Sequence, residues 1–278
     1  YKEGIDMRLS TMPTVRGEKA VIRILGGSRN LPDLDSLGMD KRAVSLIRKS
    51  LRDTKGLIII CGPTGSGKTT TLYAALREID KESVSIATLE DPVEYKIDGL
   101  SQSQIGKKGG IAFHEGLRAL LRQDPDILVI GEIRDDETAT IAVRAALTGH
   151  LVFSTIHANE AAAVPERLVD MGVPAYLVGD ALLCTAAQRL VRRHCAVCGG
   201  TGCLACNFSG YDGRDCLAEV IYFTSRTKEI VRRDASVGAV RKGAQEAIFF
   251  KETAMAMVRD GLTDEREIMR VCGEDHEY

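Results

Sequence analysis

The sequence predicts an α/β fold with a largely parallel sheet wrapped by helices, and two observations carry that prediction. The apolar run at 57–61 and the mainly apolar stretches at 85–89, 126–130 and 151–155 read as strands. Between and after them lie helix-forming segments at 69–79, 114–122, 138–147 and 161–170, and strands that alternate with helices build crossover units of a parallel sheet.

Taken in order, residues 1–30 hold short alternating runs broken by Pro13, Gly17 and Gly26-Gly27, and they read as strands of a small sheet. Residues 31–35 read as a linker, and an apolar-periodic helix over about 42–51 leads into the first buried strand. Beyond the fourth strand comes a cysteine-rich piece. The remainder reads as helical, with Asp260-Gly261 ending one helix and Thr263 capping another. The expected pieces are a small N-terminal β piece over 1–30, an α/β core over 31–190, a cysteine element over 191–216 and a C-terminal helical region over 217–278.

Composition narrows the classes of function. The chain has 278 residues, 44% hydrophobic and 27% charged, which suits one large core with smaller attachments. No run approaches the roughly eighteen consecutive apolar residues of a membrane-spanning helix. With 37 cationic and 39 anionic side chains the formal charge is −2, so no overall basic footprint for nucleic acid exists. The opening Tyr1-Lys-Glu-Gly-Ile-Asp-Met has neither an initiator Met nor an apolar leader, so a piece of a longer chain without a signal peptide is expected.

The first strand runs directly into Gly62-Pro63-Thr64-Gly65-Ser66-Gly67-Lys68-Thr69, which fits G-x-x-x-x-G-K-[ST] with a strand before it and a helix after it. Glycines let successive backbone N–H groups turn inward around a phosphate at a helix N-terminus. Nucleotide contacts are therefore expected from residues 62–69 and Thr70, with Lys68 on the β- and γ-phosphates and Thr69 on Mg²⁺.

Two acids stand where strands stop. Glu132 follows the strand at 126–130 and is expected in the Mg²⁺ shell, through water because Mg²⁺ sheds water reluctantly. Glu90 ends the strand at 85–89, and a carboxylate at such an end faces the ligand crevice of an α/β sheet, so Glu90 is expected to be the general base. The bland alternative makes it a solvated edge residue. A strand intervening between the phosphate loop and Glu132 suits ATPases of the additional-strand class. His157, just past the fourth strand, is a candidate sensor of the γ-phosphate or a strand-end histidine with a local bond.

Cys195-Ala-Val-Cys198-Gly-Gly-Thr-Gly-Cys203-Leu-Ala-Cys206 has the paired C-x₂-C spacing of a tetrahedral Zn²⁺ site. Its link of only four residues leaves an iron–sulfur cluster and metal-free cysteines as alternatives.

The runs at 62–73, 89–95, 121–135 and 147–159 resemble the Walker A, Asp box, Walker B and His box of the secretion ATPase superfamily. The chain is most similar to its type II secretion and type IV pilus extension members, whose pattern also includes Asp6-Met-Arg8, Gly17-Glu18 to Arg23, Gln188-Arg189-Leu190-Val-Arg192, the four cysteines and Gly210-Tyr-Asp-Gly-Arg214. The resemblance implies a RecA-like P-loop core and makes 1–30 the tail of an N-terminal domain whose Arg8 and Arg23 complete the catalytic site. It implies a homo-hexamer that hydrolyses ATP with Mg²⁺, carries Zn²⁺, and works at the cytoplasmic face of the inner membrane with a platform protein and an adaptor, without nucleic acid. Two other readings are a nucleic-acid-translocating motor and a nucleotide-dependent scaffold without turnover.

Overall fold

The computed structural model describes residues 6–25, 31–105 and 112–273. It opens with β1 (Asp6–Thr14) and β2 (Gly17–Leu25), an antiparallel hairpin in which Arg8 is the register partner of Arg23. The side chains of those two arginines lie outside the described residues. Met7, Leu9, Met12, Val21 and Ile22 are exposed on this hairpin.

The chain then passes through a single 3-10 turn, Leu34–Leu37, into α1 (Lys41–Ser50), whose first turn is capped by the Asp40 carboxylate on the Arg42 N–H at 2.7 Å. The core follows as β3 (Gly56–Cys61), α2 (Lys68–Arg77), β4 (Ile86–Glu90), the edge strand β5 (Ser101–Gln104), α3 (Phe113–Leu121), β6 (Ile127–Ile130), α4 (Asp136–Leu147), β7 (Leu151–Ile156), α5 (Ala163–Asp170) and α6 (Ala175–Ala181). Then come β8 (Leu182–His194), β9 (Tyr211–Tyr222), α7 (Ser225–Arg233), α8 (Val237–Gly243), β10 (Glu246–Ile248), α9 (Phe250–Arg259) and α10 (Glu265–Cys272).

Strands β3, β4, β6 and β7 are buried throughout, which is why β3 and β6 read as continuous apolar runs, while β4 and β7 bury Thr88, Glu90, Ser154 and Thr155 among their apolar residues. Their side chains still divide by face. Leu57, Ile59 and Cys61 join one core with Ala139, Ala142 and Val143 of α4, while Ile58 and Ile60 join the other with Val44 of α1 and Leu72 of α2.

Among the described residues the main sheet has eight strands in the order β10-β9-β8-β3-β7-β6-β4-β5. From β8 to β5 every pairing is parallel; β9 and β10 add antiparallel strands at the other edge. The α/β class and the largely parallel sheet are as the sequence predicts. One order differs from expectation: the strand lying between the phosphate-loop strand β3 and β6 is β7, whereas β4, with Glu90, lies beyond β6. Chain order cannot show this, because crossovers of similar length reach either neighbour.

The region after residue 180 departs most. β8 and β9 form a long antiparallel ribbon from Cys184↔Tyr222 to His194↔Tyr211, so the boundaries expected at 190/191 and 216/217 fall inside strands. The stretch 217–278 also contains the end of β9 and the whole of β10. Thr263 does not cap α10; Asp264 accepts from the Glu267 N–H at 2.8 Å, while the Thr263 hydroxyl donates to the Arg192 carbonyl at 2.8 Å. No helix among the described residues is long and apolar enough to cross a membrane.

Glu267 ties α10 to β8. Its side chain has no exposure, and it accepts from the Arg192 N–H at 2.9 Å, from the Arg192 guanidinium at 2.7 and 2.9 Å and from that of Arg270 at 2.6 and 2.7 Å. Burial pushes the carboxyl up, but the guanidinium groups of Arg270 and Arg192 outweigh it and hold it at about 2 against an ordinary 4.5. A depressed acid stabilises the fold above its ordinary value and loses that contribution as pH falls through the lower one. Glu267→Ala is therefore expected to destabilise the protein at pH 7, by less than the ~3 kcal/mol of a fully buried pair because both arginines keep water contact. Denaturant titration checks it, and the gap to wild type should narrow between pH 4.5 and 2.

Candidate active site and metal centre

The phosphate loop leaves β3 at Cys61 and re-enters α2 at Lys68. Gly62 sits at φ +142°, and a Cβ there would lie 2.5 Å from the Gln188 carbonyl and 2.8 Å from Ser66 Oγ, so only glycine lets the loop lie this close to β8. Gly65, at φ +79°, has open space where a Cβ would stand, on the exposed rim of the loop. Gln188 braces the loop from behind, its amide donating to the Ser66 carbonyl at 2.7 Å. Lys68 folds over the loop with its Nζ on the carbonyls of Gly62 (3.0 Å) and Pro63 (3.1 Å); burial lowers its pKa. A half-buried cation on neutral carbonyls fits an anion arriving at the same turn. Thr69 and Thr70 are half-buried in the first turn of α2. Thr70 also lines a cleft of about 370 Å³ together with Pro32, Leu37, Leu190, Arg214 and Cys216.

The other predicted residues stand at the same edge of the sheet, because β4, β6 and β7 run parallel to β3 and end together. Glu132 follows β6. Arg134 Nε donates to its Oε2 at 2.6 Å, and His157 Nε2, just past β7, lies 2.7 Å from its Oε1, an ion pair when the imidazole is protonated. Apart from that contact Glu132 Oε1 is a buried oxygen with no donor among the described residues, an acceptor suited to a metal-bound water. His157 is mostly exposed and lies against Glu132 at the neighbouring strand end.

Glu90 ends β4 and is 5% exposed, which removes the solvated-edge alternative. Thr88 Oγ1 donates to its Oε1 at 2.7 Å, the Tyr73 hydroxyl donates to its Oε2, and Gln102 Nε2 reaches Oε1 at 3.4 Å. Sequence reasoning assigned no role to Tyr73, Gln102 or Thr88. Spacing held part of the signal for Tyr73, which is one helical turn beyond Thr69 on the same face of α2. In the sequence Gln188 and Arg189 stand only as part of the family pattern; Arg189 donates to the Asn159 carbonyl at 2.8 Å, joining β8 to the loop after β7.

At the far end of the β8–β9 ribbon lie the cysteines. Cys195, Cys198, Cys203 and Cys206 place their sulfurs within 4.8 Å of one another, with separations of 3.8 Å (203–206) and 3.9 Å (195–203 and 198–206). Zinc–sulfur bonds of about 2.3 Å in a tetrahedron require sulfurs about 3.8 Å apart, so the short link does not strain the set. The N–H of Cys203 beside the Cys206 sulfur, the largest influence, pulls that thiol down to about 6. The N–H of Gly202 reaches Cys198 Sγ at 3.2 Å.

Comparison with known proteins agrees with this geometry. A model described as "Type II/IV secretion system protein" matches residues 1–270. The chain is 44% identical over 277 residues to type II secretion system protein HxcR of Pseudomonas aeruginosa, covering 96% of this chain and 59% of that protein. It is 40% identical over 296 residues to type II secretion system ATPase E of Vibrio cholerae, covering 97% and 59%. Among solved structures it is similar to the pilus retraction motor PilT at TM-score 0.76 and 27% identity, covering 97% of this chain and 78% of that one. The ATPase DotB of Legionella pneumophila shares the fold at TM-score 0.75 and 23% identity, covering 95% and 71%. The chain spans about three fifths of the length of these curated relatives.

Proposed function

This chain belongs to the Type II/IV secretion system protein family, and we propose that it is the motor portion of an ATPase whose Mg²⁺-dependent hydrolysis of ATP drives pseudopilus or pilus assembly. The observation that carries the reading is the convergence of Gly62–Thr69, Glu90, Glu132 and His157 beyond the ends of four adjacent strands, β3, β7, β6 and β4. PilT, similar in fold, was solved with bound ADP, which supports a nucleotide on this loop. Lys68 and the loop amides would bind the β- and γ-phosphates, and Glu90 would take the proton of the attacking water. Mg²⁺ would be held by Thr69 and, through water, by Glu132, and when bound it neutralises charge on the β- and γ-oxygens. His157, already against Glu132, would report the γ-phosphate to the metal side.

The exposed apolar residues of the β1–β2 hairpin support reading 1–30 as part of a further domain that packs there, since a lone two-stranded hairpin is marginal in water. Arg8 and Arg23 would arrive with that domain to stabilise the transferring phosphoryl. A homo-hexamer at the cytoplasmic face of the inner membrane, joined to a platform protein and an adaptor, completes the proposal. The names of the curated relatives favour type II secretion. The test is steady-state ATP turnover by the full-length protein with and without Mg²⁺ and with added DNA. Turnover that needs Mg²⁺ and ignores DNA supports the reading, whereas strong stimulation by DNA favours a nucleic-acid motor and negligible turnover a scaffold.

A further inference from the structure

We propose that Tyr73 is a positioning residue for ATP hydrolysis, which through its hydroxyl fixes the Glu90 carboxylate relative to the phosphate loop. The inference rests on the reading of Glu90 as the base. Of the donors to Glu90, Thr88 belongs to the same strand and cannot set its place relative to another element. Tyr73 belongs to α2, whose N-terminus forms the phosphate cradle, and it lies one turn beyond Thr69. The helix carries the position of the phosphates to the acid with the stiffness of its own hydrogen bonds.

The contact is built, not incidental. Tyr73 has no exposure, and Gln102 Nε2 is within 3.2 Å of its hydroxyl, 3.4 Å of Glu90 Oε1 and 2.9 Å of the Tyr95 carbonyl. The Tyr95 ring meets that of Tyr73 edge to face at 5.6 Å. Gln102 Oε1 takes the Ile97 N–H at 2.8 Å and Gln104 Oε1 the Val93 N–H at 3.1 Å, so β5 pins the loop after Glu90 around the phenol. Burial, then the bond to Glu90, pushes the phenol's pKa up, and it stays a donor throughout the working range of pH.

Tyr73→Phe keeps the ring and removes the hydroxyl, freeing Glu90 Oε2 to turn. Misplacement of a reacting group by an ångström costs about 10²-fold, so kcat should fall by about 10- to 100-fold in the full-length protein. The Kd for ATP should stay within error of wild type, while the melting temperature falls by a few degrees because a buried carboxylate oxygen loses its donor. In a Glu90→Gln background the same change should alter the residual rate less than about twofold, because groups that act as a unit are not additive. Gln102→Ala, at a half-buried edge-strand position, should show the same dependence on Glu90 at smaller amplitude, and it decides the matter if Tyr73→Phe fails to fold. Wild-type kcat in Tyr73→Phe beside an inactive Glu90→Gln, or losses that multiply in the double variant, overturns the proposal. If Glu90→Gln itself turns over at the wild-type rate, the reading of the base fails instead.

Discussion

Replacing Glu90 by glutamine is expected to lower ATP turnover by about 10²–10⁴-fold, the contribution of a positioned general base. The amide is isosteric with the carboxylate, its oxygen still accepts from Thr88 or Tyr73, and β4 keeps its buried packing, so the change removes basicity and little else. Among the described residues no hydrogen bond joins the phosphate loop to Glu90: the loop is braced by Gln188, and Lys68 rests on its own carbonyls. Binding of ATP should survive. Turnover near the wild-type rate would move the role to Glu132, whose Oε1 stands against His157 at the neighbouring strand end.

Removing zinc is the second large effect. The purified protein should hold one zinc per chain, since the four sulfurs lie within 4.8 Å of one another and three of their separations, at 3.8–3.9 Å, match tetrahedral spacing. Structural zinc supplies an apparent ~10–16 kcal/mol in small sites, far more than the local turns of 195–210 provide. A strong chelator should therefore make this segment open to protease and lower the melting temperature. The ribbon's other end, where Leu57 to Cys61 of β3 pair with Leu182 to Ala187, should keep its order and its nucleotide affinity. A metal content well below one per chain with no response to chelator contradicts the assignment, and visible charge-transfer absorption would indicate iron–sulfur chemistry.

Much of this was legible because its signal is local. The strand, glycine loop and helix of the phosphate site are contiguous, as are the paired cysteines, and burial on both faces writes β3 and β6 as unbroken apolar runs. What escaped depends on pairing across long separations. β8 contains Thr185-Ala186-Ala187-Gln188, a stretch without clear alternation, and becomes a strand because β3 and β9 flank it. The order β3-β7-β6-β4, the 2.7 Å approach of His157 to Glu132, and the phenol of Tyr73 on Glu90 each join elements that the sequence leaves apart. Thr263 is the cap the sequence suggests for α10, but the Arg192 carbonyl takes its hydroxyl and the neighbouring Asp264 caps the helix instead.

Calorimetric titration of ATP into the protein and its Lys68→Ala variant most directly tests whether the loop at 62–69 is the nucleotide site that organises these strand ends. The account predicts binding to wild type that Lys68→Ala weakens at least about a hundredfold, the loss of a charge-assisted phosphate contact. Equal affinity in the two proteins contradicts it.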